Sequence, residues 1–123
     1  FSSAMDQAIL NGILWPEIHI LIEKAKEEAK REEITLFVVD AALIIEGGFN
    51  KLLNKTLLIV ADRNKRISRA IKRRNIPLDQ IQKRMMLQMN DDKKIKIADD
   101  IIENNGTEEE FLEKLEQYYN SIK

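Results

Sequence analysis

ADDIIENNGTEEEFLEKLEQ (residues 98–117) is the stretch on which the reading of the fold turns. Ile101 and Ile102 form a short apolar pair and run into two amides and a glycine, Asn104, Asn105 and Gly106. Thr107 and Glu110 have capping-box spacing, in which the hydroxyl and the carboxylate each bond a free backbone N–H. Phe111, Leu112, Leu115, Tyr118, Tyr119 and Ile122 then recur at helical spacing. The segment is therefore strand, corner, helix. A turn ahead of a capped helix accounts for the corner most simply. The same residues also suit the edge of a nucleobase, because Asn offers donor and acceptor together and Gly allows close backbone approach.

Working outward, TLLIVAD (residues 56–62) and ITLFVVD (residues 34–40) are two further apolar runs of strand length. In the second, Ile34, Leu36 and Val38 face one side and Phe37 and Val39 the other. Apolar residues on both faces predict a strand covered on both sides, as in the parallel sheets of α/β proteins. The stretch between them has helical content broken at Gly47 and Gly48. RNKRISRAIKRRN predicts a basic helix, and IPLDQIQKRMMLQM a second, with Leu78, Ile81, Met85 and Met89 on one side. The first 33 residues read as a helix, a break near Asn11 and Gly12, and a second helix beginning around Pro16, since Pro is at home in a first helical turn. The order is helix–strand–helix–strand–helix–helix–strand–helix, an α/β layout with parallel strands.

The totals bound the function. One domain or part of one fits in 123 residues, and a third of them are charged against 44% hydrophobic, which suits a soluble globular protein. The net charge of −1 gives no whole-molecule attraction to nucleic acid or to an anionic membrane. The absence of cysteine excludes disulfides and thiolate metal sites. A single histidine, His19, disfavours His-based metal or triad chemistry, and reads as a partly exposed helix residue. No apolar run is long enough to span a bilayer, so a cytoplasmic location is expected. The chain opens on Phe1 rather than Met, which agrees with further sequence upstream.

Three features carry chemistry. From Arg63 to Arg84 there are nine Lys or Arg residues against one acid, Asp79, so the charge is segregated. Arg66, Arg69 and Arg73 stand within about 60° on one helix face, where guanidinium groups can bind phosphate oxygens bidentately. The alternative is a solvated helix face. Asp40 ends an apolar strand, where a carboxylate can hold hydrated Mg²⁺ at the carboxyl edge of a parallel sheet, although many buried strands end in Asp. Glu46, before Gly47 and Gly48, is a further carboxylate near that edge or a plain loop residue. The third feature is the Asn–Asn–Gly corner itself.

Taken in order, these segments resemble the dephospho-coenzyme A kinase family of P-loop kinases. ADDIIENNG is similar to the family's ADDVIDNNG, and VVDAALIIEGG resembles VVDIPLLFESG, keeping Asp40, Leu43 and Glu46. RAIKRRNIPLDQIQKRMMLQM aligns without a gap and places Arg69, Arg73, Arg84 and Gln88 on family positions. ILWPEI is similar to the family's ILHPLI, and FSS to the segment before it. Trp15 stands where the family usually has His, and Ala42 where it usually has Pro.

The resemblance implies a P-loop kinase-like three-layer α/β/α fold with a parallel sheet and a helical lid. The family's N-terminal strand and GxxxxGK[ST] loop are absent from this chain, with about 80 residues expected upstream. It implies one partial domain over residues 1–123: a helical substrate-side segment (1–33), core strands and loop (34–62), a helical lid (63–97), and the last strand with the C-terminal helix (98–123). The implied reaction is phosphoryl transfer from ATP, with Mg²⁺, to the ribose 3′-hydroxyl of dephospho-coenzyme A. Arg69, Arg73 and Arg84 would stabilise phosphate charge in the lid. Asn104, Asn105, Gly106, Arg66 and Gln88 would bind the nucleotide, Asp40 the metal through water, and Trp15, His19, Leu43 and Glu46 the acceptor. A monomer or weak homo-oligomer, with no nucleic-acid or membrane partner, is expected. By this reading the 123 residues alone are not an active kinase. A kinase for another nucleoside or nucleotide, or a non-catalytic RNA- or polyanion-binding module, are the alternatives.

Overall fold

The computed structural model describes residues 3–123; Phe1 and Ser2 of the FSS segment lie outside the described residues. Helix α1 (Ala4–Arg31) is followed by β1 (Leu57–Val60), α2 (Arg63–Arg74), α3 (Leu78–Leu87), α4 (Asp91–Ile97), β2 (Asp100–Glu103) and α5 (Glu108–Ile122). The architecture is α/β, with a parallel two-stranded sheet in which Leu57 pairs with Asp100 and Val60 with Glu103. The chain divides after Asn54 into two units.

In the first unit, the expected break at Asn11 and Gly12 and restart at Pro16 do not occur. One continuous helix of 28 residues runs through all three, started by the Ser3 hydroxyl, which accepts from the Asp6 N–H at 3.1 Å. An interior Gly and Pro cost roughly 1 and 3 kcal/mol. The Ala-, Leu-, Glu- and Lys-rich remainder of the helix offsets that, and Gly12, at i−4 from the proline, has open space around it. Ile22 and Ala29 are buried on α1, and Ile45 and Phe49 on the segment after it. Lys26 reaches across to donate to the Leu52 carbonyl at 2.5 Å.

Residues 34–40 are not a strand. Apart from the Ile34 N–H, which donates to Ala29 O, this stretch makes no backbone hydrogen bonds among the described residues. Without a neighbour to ladder against, extended backbone is not held as sheet. The alternation persists in the side chains: Phe37 and Val39 are half-buried, whereas Leu36 and Val38 are exposed. The expected cover on both faces is not found. Residues 42–48 form turns, with Gly48 at φ +73°, and lead into a 3₁₀ turn at Phe49–Leu52.

The second unit matches expectation more closely. The basic helix and its successor are present as α2 and α3; Ile81 is buried and Met85 half-buried, whereas Leu78 is exposed and Met89 lies beyond the helix end. Helix α4 was not foreseen. Asn90 caps it by accepting from the Asp92 N–H at 2.8 Å, and two aspartates fill its first turn, an arrangement favoured at a helix N-terminus.

The capping box at α5 is complete: Thr107 accepts from the Glu110 N–H at 3.2 Å, and Glu110 accepts from the Thr107 N–H at 3.3 Å. Thr107→Ala is expected to cost about 1 kcal/mol, read as a shift in the denaturation midpoint of the full-length protein.

The two aspartates at the start of β2, Asp99 just before it and Asp100 its first residue, act as clamps. Asp99 accepts from the Thr56 N–H at 2.7 Å. Asp100 accepts from the Tyr118 hydroxyl at 3.0 Å and pairs with Lys55 at 3.1 Å, joining β2, α5 and the entry to β1. Lys55, then Tyr118, hold the Asp100 carboxyl below the usual carboxylate range, and Asp100 raises Lys55. Desolvation and the same carboxylate raise Tyr118. The Asp100 contribution to stability is thus present above the unfolded value, about pH 4, and is lost as pH falls through the depressed folded value. The Lys55 contribution is present below about pH 10 and is lost as pH rises through its raised value. Asp100→Asn is expected to flatten the acid limb of the stability–pH curve, the difference shrinking in salt because solvent reaches the half-buried Asp100 and the exposed Lys55.

Candidate functional site

Both strands of the parallel sheet end at the same edge, where ligands of open α/β sheets bind. Past that edge lie Asp62 and the corner of Asn104, Asn105 and Gly106. The Asn104 N–H donates to Val60 O at 2.7 Å and extends the ladder by one residue. The Asp62 N–H donates to Asn105 Oδ1 at 2.8 Å, which orients the amide so that its Nδ2 group faces away as a pure donor.

Basic side chains hold the corner's backbone. Lys114 donates to Glu103 O at 2.9 Å, Arg69 Nη1 to Asn104 O at 2.7 Å, Lys65 Nζ to Asn105 O, and Arg69 Nη2 to Gly106 O at 3.4 Å. Four successive carbonyls are each met by a cation. Lys65 and Arg69 are one helical turn apart on α2, so one helix face supplies three of the four contacts. The basic stretch was legible as a face in the sequence. That Lys65 belongs to it was not read, although its i,i+4 spacing to Arg69 was the available signal.

Gly106 leaves room for the capping carboxylate. A Cβ there would sit 1.7 Å from Glu110 Oε2, so a side chain at 106 would push Glu110 off its cap.

The other basic residues are placed differently. Arg66 pairs with Asp91 at 3.0 Å, and its buried Nε has no hydrogen-bond partner. Its charge is met within the unit, joining α2 to α4. Arg73, Arg84 and Gln88 are exposed and donate no hydrogen bond to the corner.

In the first unit, Trp15 and His19 line one side of an open cleft of about 590 Å³, with Gly47 and Phe49 opposite them. Trp15 meets Phe49 edge-to-face, with ring centroids 6.2 Å apart and planes at 82°. Leu43 and Glu46 are half-buried in the adjoining turns and do not line the cleft. Asp40 is exposed in irregular backbone. The described residues contain no group of three or more His, Cys, Asp or Glu placed to hold a metal ion, and no helix long and apolar enough to cross a membrane.

Comparison with known proteins bears on the same segments. The family model described as dephospho-CoA kinase matches residues 1–110. The chain is 36% identical over 116 residues to a dephospho-CoA kinase of Chlamydia caviae, covering 93% of this chain and 57% of that protein. It is 32% identical over 113 residues to one of Fusobacterium nucleatum, covering 92% and 57%. To one of Chlorobium chlorochromatii it is 28% identical over 122 residues, covering 99% and 58%. The chain therefore spans less than three-fifths of the length of these curated relatives. The matched residues include the basic helix, the Asn–Asn–Gly corner and the start of α5, and on the ground of that match this chain belongs to the dephospho-CoA kinase family.

Proposed function

We propose that the protein transfers the γ-phosphoryl group of ATP to the ribose 3′-hydroxyl of dephospho-coenzyme A, giving coenzyme A, the last step of its synthesis. The observation that carries this reading is the Asn–Asn–Gly corner at the carboxyl edge of a parallel sheet, beside a basic helix, in a chain of this family. Phosphoryl transfer is catalysed mostly by positioning and charge neutralisation, and this arrangement supplies both. Asn104, Asn105 and Gly106 are read as the nucleobase corner. The Nδ2 donors of Asn105 and the side-chain amide of Asn104, which has no hydrogen-bond partner among the described residues, are the groups available to a base edge.

Arg73 and Arg84, exposed on α2 and α3, are assigned to the phosphates, with Arg66 and Gln88 at the margin of that site. Trp15 and His19, in the cleft of the first unit, with Leu43 and Glu46 beside it, are assigned to the acceptor. Mg²⁺ characteristically keeps several waters and takes one or two carboxylates plus substrate phosphates. One exposed carboxylate, Asp40, fits that demand as a water-mediated contact. The ion would neutralise charge on the transferring phosphate. The P-loop kinase-like three-layer architecture is likewise the family's, and the two-stranded parallel sheet agrees with it.

The test is turnover of the full-length protein with ATP and dephospho-coenzyme A, measured against ordinary nucleosides and nucleoside monophosphates. A preference for dephospho-coenzyme A supports the reading. A preference for another acceptor moves the protein to a different kinase specificity. Absence of turnover together with salt-sensitive RNA binding overturns the kinase reading.

A further inference from the structure

The three cations, Lys65, Arg69 and Lys114, that meet four successive carbonyls at the end of β2 are not explained by phosphate binding. Arg69 in particular already spends two guanidinium nitrogens on the backbone, at Asn104 O and Gly106 O. A guanidinium presents its donors in a fixed planar fork, so two carbonyls engaged by the two terminal nitrogens define the separation and orientation of those peptide groups. Between them, Asn105 is fixed from two further directions: Lys65 holds its carbonyl and the Asp62 N–H holds its side chain. A surface turn before a helix needs none of this, because the capping box already satisfies the helix start.

We infer that Arg69 is a positioning residue: with Lys65 it holds the 104–106 corner in the shape that receives the nucleobase, and it is not itself a ligand of the transferred phosphate. The inference rests on the nucleotide-binding reading above. It makes a distinction that the basic composition of α2 does not. Within one helix, Arg69 and Lys65 face the corner, whereas Arg73 is left free for an anion and Arg66 is turned to Asp91. The helix thus couples the base corner to the phosphate side through one rigid element. Charge-assisted bonds to the backbone are the means, and they are insensitive to the identity of the corner's own side chains.

The test compares Arg69→Met and Arg69→Lys with the wild type in the full-length protein, using two probes, Mg–ATP and Mg–tripolyphosphate. Tripolyphosphate carries the phosphates without the base. The expected result for Arg69→Met is ATP binding weakened by about 10-fold or more, the loss of a charge-assisted hydrogen bond. Tripolyphosphate binding stays within about 2-fold. Arg69→Lys, able to reach one carbonyl, is expected to fall between. In the ligand-free protein, exchange of the Asn104 amide, which bonds Val60 O, is expected to quicken in the Met variant and to recover partly in the Lys variant.

Equal weakening of ATP and tripolyphosphate overturns the proposal and makes Arg69 a phosphate ligand. No change with either probe overturns it too, leaving a surface tie of no functional weight. Failure of dephospho-coenzyme A as acceptor leaves this binding test intact and bears on the acceptor alone. A wild type that binds neither probe overturns the nucleotide reading and this inference with it.

Discussion

Arg73→Ala in the full-length protein is expected to lower kcat for dephospho-coenzyme A phosphorylation by about 10³-fold, the scale of an arginine that stabilises charge on a transferring phosphoryl group. Thermal stability should hardly move. Arg73 is exposed on α2, one turn beyond Arg69, and no carboxylate or carbonyl among the described residues engages its guanidinium. Its removal therefore leaves no buried partner behind, and the substitution should be felt only where a phosphate is present. Arg74→Ala is the control. It removes the same charge from the neighbouring position but lies about 100° further round the helix, off the face shared by Arg66, Arg69 and Arg73. A fall in kcat of similar size for both variants would mean that net charge, not placement, is what α2 contributes. No fall for Arg73→Ala would remove it from the phosphate site.

Phe49→Ala is expected to destabilise the protein by about 3 kcal/mol, the low end for a buried aromatic truncated to alanine. Phe49 is 5% exposed, one of the few well-buried side chains of the first unit. Its ring meets Trp15 edge-on and lies so close to Gly47 that a Cβ there would come within 2.4 Å of it. The estimate sits low because no large side chain among the described residues is fully sealed from solvent, so the surroundings can collapse partly into the space. Phe49→Leu should recover about half, since an aliphatic side chain refills volume but not the edge-to-face contact. The measurement is the denaturation midpoint of the full-length protein. A loss below about 1 kcal/mol would show that Phe49 is not a core residue. Because Phe49 also lines the cleft assigned to the acceptor, the folded fraction of the Ala variant should show a raised KM for dephospho-coenzyme A.

Much of the second unit was legible in the chain because its signals are local. The capping box at Thr107 and Glu110, the basic run of α2 and the apolar pair at Ile101 and Ile102 each appear where the sequence places them. Helix α4 was missed although its cap was visible: Asn90 precedes two aspartates, but seven residues give too little apolar periodicity to show a helix. In the first unit, local signals misled. Gly12 and Pro16 are breakers by propensity, yet the helix continues through both. Propensity is a weak prior that the rest of a long helix can override.

The sequence by itself determined the α/β character, the parallel direction of the two strands, the start of α5, and the residues that make the corner. Tertiary structure decided two things that no local pattern holds. One is that residues 34–40, with the composition and alternation of a strand, are not one here, because a strand exists only through hydrogen bonds to a neighbour. The other is the division of labour along α2. A row of like-charged side chains is nearly uniform in sequence; which cation meets Asn104 O, Asn105 O or Asp91 depends on what folding brings opposite it, from chain some 25–40 residues further on.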